Sequence, residues 1–153
     1  MKTLIELFDE SPILNVLASV AFKPEKLIFF GADPLQVEES RRDYVRFFKS
    51  RGENPEIEYI SADMENIDEV NGTLAKIIAE NPDCVVDVTG GKDIALLAAG
   101  MAAVRLGVPL IAYNKRTKRY ANISEYEPAM RANISRSKRA RPARNNQKGA
   151  FTV

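Results

Sequence analysis

Along this 153-residue chain, short apolar runs alternate with longer segments whose apolar residues recur at helical spacing. Such alternation is the signature of stacked strand–helix units around a mostly parallel sheet. "TLIELF" (3–8) reads as the first strand. Ser11-Pro12 then offers an N-cap and a first-turn proline to a helix whose apolar stripe is Ile13, Val16, Leu17 and Val20, ending near Phe22. "KLIFFGA" (26–32) is the second strand, and Asp33-Pro34 opens a helix that stops at Gly52. "EIEYISA" (56–62) alternates as a third strand, "IDEVNGTLAKIIAEN" forms a helix weakened internally by Gly72, and "CVVDVTG" (84–90) is a buried fourth strand. A last helix over 93–106 ends at Gly107, "VPLIAYN" (108–114) is the fifth strand, and "RYANIS" is a candidate sixth, exposed one. The predicted fold is a Rossmann-like α/β three-layer sandwich, sheet order 3-2-1-4-5, with helices on both faces.

Composition narrows this picture. The apolar fraction of 45% fills one core, so a single domain over 1–127 is expected. The single cysteine, Cys84, excludes a disulfide framework and points to a reducing compartment, and the absence of histidine removes the usual zinc ligands, so no metal and no cofactor is expected. The N-terminal apolar stretch breaks at Asp9 and Glu10, too early for a signal peptide or a membrane span, and a cytoplasmic protein without membrane contact is expected.

The net charge of +1 hides an asymmetry: residues 1–114 carry 11 Lys+Arg against 19 Asp+Glu, whereas residues 115–153 carry 11 Lys+Arg against only Glu125 and Glu127. Residues 128–153 have no apolar periodicity and read as a disordered basic tail. Its Arg131, Arg136, Lys138, Arg139, Arg141, Arg144 and Lys148 are candidates for weak, sequence-independent contact with nucleic-acid phosphates.

Candidate chemistry gathers in two loops. In an open α/β sheet, ligands bind beyond the carboxyl ends of strands where the strand order reverses. Here that crevice falls between strands one and four, whose exits are "FDESPILN" and "TGGKD". Adjacent Gly90 and Gly91 let main-chain N–H groups approach a ligand at a helix start, an arrangement suited to phosphate, and Lys92 adds a full charge. Thr89 and Ser11 offer hydroxyls, and Asn15, placed opposite the apolar stripe, is positioned to read a base or a ribose. Asp9 and Glu10 fit either a capping role or a ligand contact. The alanine-rich last helix suits tight packing on the sheet or a two-fold subunit contact.

The stretches "TLIELFDESPILNVLASVAFKPEKLIFFGA" and "DCVVDVTGGKDIALLAAGMAA" together resemble the CARF domain, the CRISPR-associated Rossmann fold, in the form that precedes a PD-(D/E)xK nuclease. The resemblance covers about residues 3–114 and is most specific at Thr89, Gly90, Gly91 and Lys92. It implies a homodimeric sensor of cyclic oligoadenylate in type III CRISPR antiviral signalling, with cyclic tetra-adenylate or cyclic hexa-adenylate lying across the dimer axis against both copies of the two loops. No PD…(D/E)xK arrangement follows strand five, and the loop lacks the extra threonine of the T-G-G-T-K form.

Two alternatives stay open on sequence. One is a metal-independent ring nuclease, in which a ribose 2′-hydroxyl attacks its neighbouring phosphate while Lys92 and the Gly91 and Lys92 amides stabilise the developing charge, without any histidine to serve as base. The other is a phosphoacceptor receiver using Asp9, Glu10, Asp63, Thr89 and Lys115.

Overall fold

Thr3–Leu7 (β1), Lys26–Phe30 (β2), Glu56–Ile60 (β3), Cys84–Asp87 (β4), Leu110–Asn114 (β5) and Arg119–Asn122 (β6) form one sheet in a computed structural model that describes residues 2–123. The order is β3-β2-β1-β4-β5-β6, parallel except for β6, which returns antiparallel on β5. Leu14–Phe22 (α1) and Pro34–Ser50 (α2) cover one face, and Ile67–Glu80 (α3) and Asp93–Leu106 (α4) cover the other. The predicted Rossmann-like sandwich is present, with the candidate sixth strand completing an edge. The basic tail and its candidate phosphate contacts lie outside the described residues.

Local chemistry explains most of the boundaries. Asp33 accepts the Leu35 amide at 2.8 Å ahead of Pro34 and starts α2, while Asn66 accepts the Asp68 and Glu69 amides and starts α3. Gly107, at φ +70°, ends α4 in the left-handed region. Every parallel strand is shorter than its apolar run: Phe8, Gly31 and Val88 still donate their amides to Phe30, Ile60 and Ile111 of the neighbouring strands, and the chain then turns into the loops at the carboxyl edge. Val108 and Pro109 likewise precede β5.

The start of α1 needs a larger correction. Ser11 does not cap it: the Ser11 carbonyl accepts the Leu14 amide in a separate turn, Ile13 occupies the cap position without a side-chain bond, and the helix begins at Leu14. Its buried face is Asn15, Val16, Ala18 and Ser19, while Ile13 is 59% exposed. The helix is thus rotated from its apolar stripe so that Asn15 and Ser19 face inward, where buried polar groups need partners.

Candidate functional site

The loops leaving β1 and β4 meet, as strand order dictates. Asp9 joins them: its Oδ1 accepts the Ser11 amide at 2.8 Å and its Oδ2 accepts the Gly91 amide at 2.9 Å, linking positions 82 residues apart. Asp9 itself is held by Asn15, whose Oδ1 accepts the Asp9 amide at 2.7 Å and whose Nδ2 donates to the Asp9 carbonyl and to Tyr44 Oη, both at 2.8 Å. Asn15 is 1% exposed, so it does not stand on a solvated face to read a base. It braces the loop that carries Asp9.

The glycines are sterically required. A Cβ on Gly90 would lie 2.8 Å from Asp9 Cβ, and one on Gly91 would lie 2.9 Å from Leu7 Cβ, with Gly91 at φ +105°. Gly90 is buried beneath Asp9, whereas Gly91 is partly open and Lys92 exposed. The donor corner exists as expected, but its Gly91 N–H is engaged by the chain's own carboxylate. Thr89 is also turned inward: its hydroxyl donates to Asp87 Oδ1 at 2.5 Å and accepts the Tyr113 amide at 2.8 Å, which ties the loop to β5.

Asp9 fills the crevice over β1 and β4, so the open space lies one step aside. A groove of about 850 Å³ runs over the carboxyl ends of β1, β2 and β3. Phe8, Asp9, Glu10, Gly91 and Lys92 form one wall, and the loops after β2 and β3 form the other. Among the described residues its lining carries the carboxylates of Asp9, Glu10, Asp33, Asp63, Glu65 and Glu69 against one ammonium, Lys92, which pairs with Glu65 at 3.5 Å. Both members of that pair are well exposed, so it contributes little to stability. Asp33 and Glu69 gave no separate signal as groove residues, because polar side chains at strand ends are generic, and Asp63 stood out only in the receiver reading; the strand order gathers them.

Sequence reasoning also missed Glu6 and Asp87, partners across the β1–β4 register and 2% and 1% exposed. Each reads as a single polar letter inside an apolar run. Burial, then the charge of Asp87, pushes the Glu6 carboxyl well above its ordinary value of 4.5, and burial also raises Asp87.

The receiver arrangement does not form. It needs the acids after strands one and three side by side, as in the doubly wound order 2-1-3-4-5. Here β2 separates β1 from β3, and Lys115 is exposed in the turn before β6.

Neither a family model nor a curated protein matches the chain. Solved structures do. Can2 from Sulfobacillus thermosulfidooxidans in complex with cyclic tetra-adenylate superposes with a TM-score of 0.67 at 19% identity, over 80% of this chain and 34% of that one. Csm6 from Enterococcus italicus, bound to cyclic hexa-2′-fluoro-hexa-dAMP, gives 0.61 at 14% identity over 94% and 41%. A type III CRISPR defence DNA nuclease activated by cyclic oligoadenylate gives 0.50 at 19% identity over 72% and 18%. This chain therefore spans less than half the length of each. The likeness establishes a shared Rossmann-like fold.

Proposed function

We propose that the chain is a CARF domain, a cyclic oligoadenylate sensor of type III CRISPR antiviral signalling. The observation that carries this reading is the Asp9–Gly91 bond, which brings the loops after β1 and β4 together at the start of α4, in a fold shared with a protein complexed with cyclic tetra-adenylate. Phosphates of the ring would meet Lys92 and the first-turn amides of α4, where the helix dipole and the partly open Gly91 bend favour an anion. The acidic groove beside them is unsuited to phosphate. Its carboxylates are acceptors for the amino group of adenine and for ribose hydroxyls, so the ring would present phosphates to one side and bases or sugars to the other. In this reading Glu10, Ser11 and Lys92 touch the ligand, while Asp9, Asn15, Thr89 and Gly90 shape the loops.

The homodimer would form through α4. Its alanines, Ala95, Ala98, Ala99, Ala102 and Ala103, are buried on the sheet, whereas Ile94, Leu97, Met101 and Val104 stand 44–60% exposed along the opposite face. A solvent-facing apolar stripe beginning beside Lys92 suits a two-fold contact that sets two donor corners across one axis. Among the described residues no helix is long and apolar enough to cross a membrane.

Thermal unfolding with cyclic tetra-adenylate, cyclic hexa-adenylate and a linear oligoadenylate control tests the reading. One ring is expected to raise the midpoint by linkage, adding about 2.7 kcal/mol to the unfolding free energy at a hundredfold excess over Kd, and Lys92→Ala is expected to weaken the effect. No stabilisation by either ring would overturn it.

A further inference from the structure

Beneath the joined loops, on the α1 face of the sheet, the Glu6–Asp87 pair has no part in the reading above. Two adjacent ionised carboxylates in so dry a place would repel strongly, and among the described residues none of the groups acting on them is a cation. Among the described residues, Glu6 Oε1 and Asp87 Oδ2 both lack a hydrogen-bond partner, as does Tyr120 Oη on β6. Asp87 Oδ1, by contrast, accepts both the amide of Thr89 at 2.9 Å and its hydroxyl at 2.5 Å. The donors that favour a carboxylate are therefore concentrated on Asp87, and Glu6 is left to carry a hydrogen.

The titratable groups acting on the pair from the packed elements are Tyr44 of α2 and Tyr120 of β6, with Tyr113 of β5 beside Tyr120. Burial raises the Tyr44 and Tyr120 phenols and holds them neutral, and α1 adds a main-chain contact at Ser19 that favours an ionised Glu6.

We propose that Glu6 and Asp87 share one proton, and that this proton is a pH-sensitive positioning element for the donor corner. With the proton present, Glu6 donates to Asp87 and locks the ends of β1 and β4 together. Asp87 in turn holds Thr89, and Thr89 holds the Tyr113 amide, so the segment entering Gly90 and Gly91 keeps its shape. Release of the proton sets two charges side by side. They separate, and Thr89 moves with Asp87. The native protein binds this proton more tightly than the unfolded chain does. Stability conferred by the pair is therefore greatest at low pH and declines as pH rises from the ordinary carboxyl range through the raised native value. That ring affinity declines over the same interval rests on the cyclic oligoadenylate reading; the shared proton does not.

The test is Glu6→Gln, whose amide copies the protonated acid, donates to Asp87 and cannot ionise. Thermal midpoints, and amide hydrogen exchange at Thr89 and Tyr113 corrected for intrinsic rates, would be followed from mildly acid to mildly alkaline pH. The wild type is expected to lose midpoint and protection as pH rises, and Glu6→Gln to flatten both profiles. Asp87→Asn, which leaves Glu6 buried but removes the neighbouring charge, should move the decline to lower pH without abolishing it, because burial alone still raises Glu6, and it serves if the first variant does not fold. A flat wild-type profile, an unchanged slope in Glu6→Gln, or an unmoved decline in Asp87→Asn overturns the proposal. If neither ring binds at any pH while the wild-type protection profile keeps its slope and the variants change it in these ways, the ring reading fails and the shared proton stands.

Discussion

The two faces of the sheet are built on different principles. Between the sheet and α3/α4 lies a mainly aliphatic layer, with Ile5, Leu7, Ile28, Leu74 and Val86 and one ring, Phe30, against the alanines of α4. Between the sheet and α1/α2 lie aromatic rings in edge-to-face and tilted contact, Phe8, Phe29, Tyr44 and Tyr59, together with the buried polar side chains Glu6, Asn15, Ser19 and Asp87. The first face supplies cohesion without direction. The second spends burial on hydrogen bonds that aim at loops: Asn15 at the exit of β1, Asp87 at the exit of β4. The buried hydrogen bonds that shape the site from underneath lie on this second face, while the first meets the corner by packing alone, Leu7 against Gly91.

Substitutions should separate the two. The largest effect is expected from Leu74→Ala on the aliphatic face, a loss of about 3 kcal/mol in denaturant unfolding, with ring binding retained once the variant is folded. Gly91→Ala should cost about 2 kcal/mol through its positive φ and the Leu7 contact, and it should abolish ring binding, because it deforms the donor corner itself. Tyr44→Phe removes a partner of Asn15 on the polar face and should cost about 1 kcal/mol, accompanied by faster exchange of the Asp9 amide. Gly72→Ala, in the interior of α3 with open space around the added methyl, should stabilise by about 0.5–1 kcal/mol and leave the loops untouched.

The same contrast governs what could be read from the residues. Periodicity located the strands and helices because apolar burial dominates both layers, and Asp33-Pro34, Gly52 and Gly107 marked helix ends by chemistry local to each end. The meeting of the Asp9 and Gly91 loops followed from strand order. What periodicity could not give was the content of the polar face. Asn15 seemed to lie off the apolar stripe, yet the rotation of α1 is set by buried partners distant in sequence, the Asp9 main chain and Tyr44. Glu6 and Asp87 meet only through strand pairing. Asp9 was legible as a loop acid, but its hold on the Gly91 amide was not, because that bond depends on loop conformations that no local pattern encodes.

The central claim, that the joined loops receive a cyclic oligoadenylate at the start of α4, is tested most directly by following backbone amide resonances while cyclic tetra-adenylate or cyclic hexa-adenylate is added. Saturating shifts centred on Gly91 and Lys92, reached at one ring per two chains, are the expected result. Unmoved Gly91 and Lys92 resonances at saturating concentrations of both rings, or shifts confined to the basic segment beyond residue 128, would contradict it.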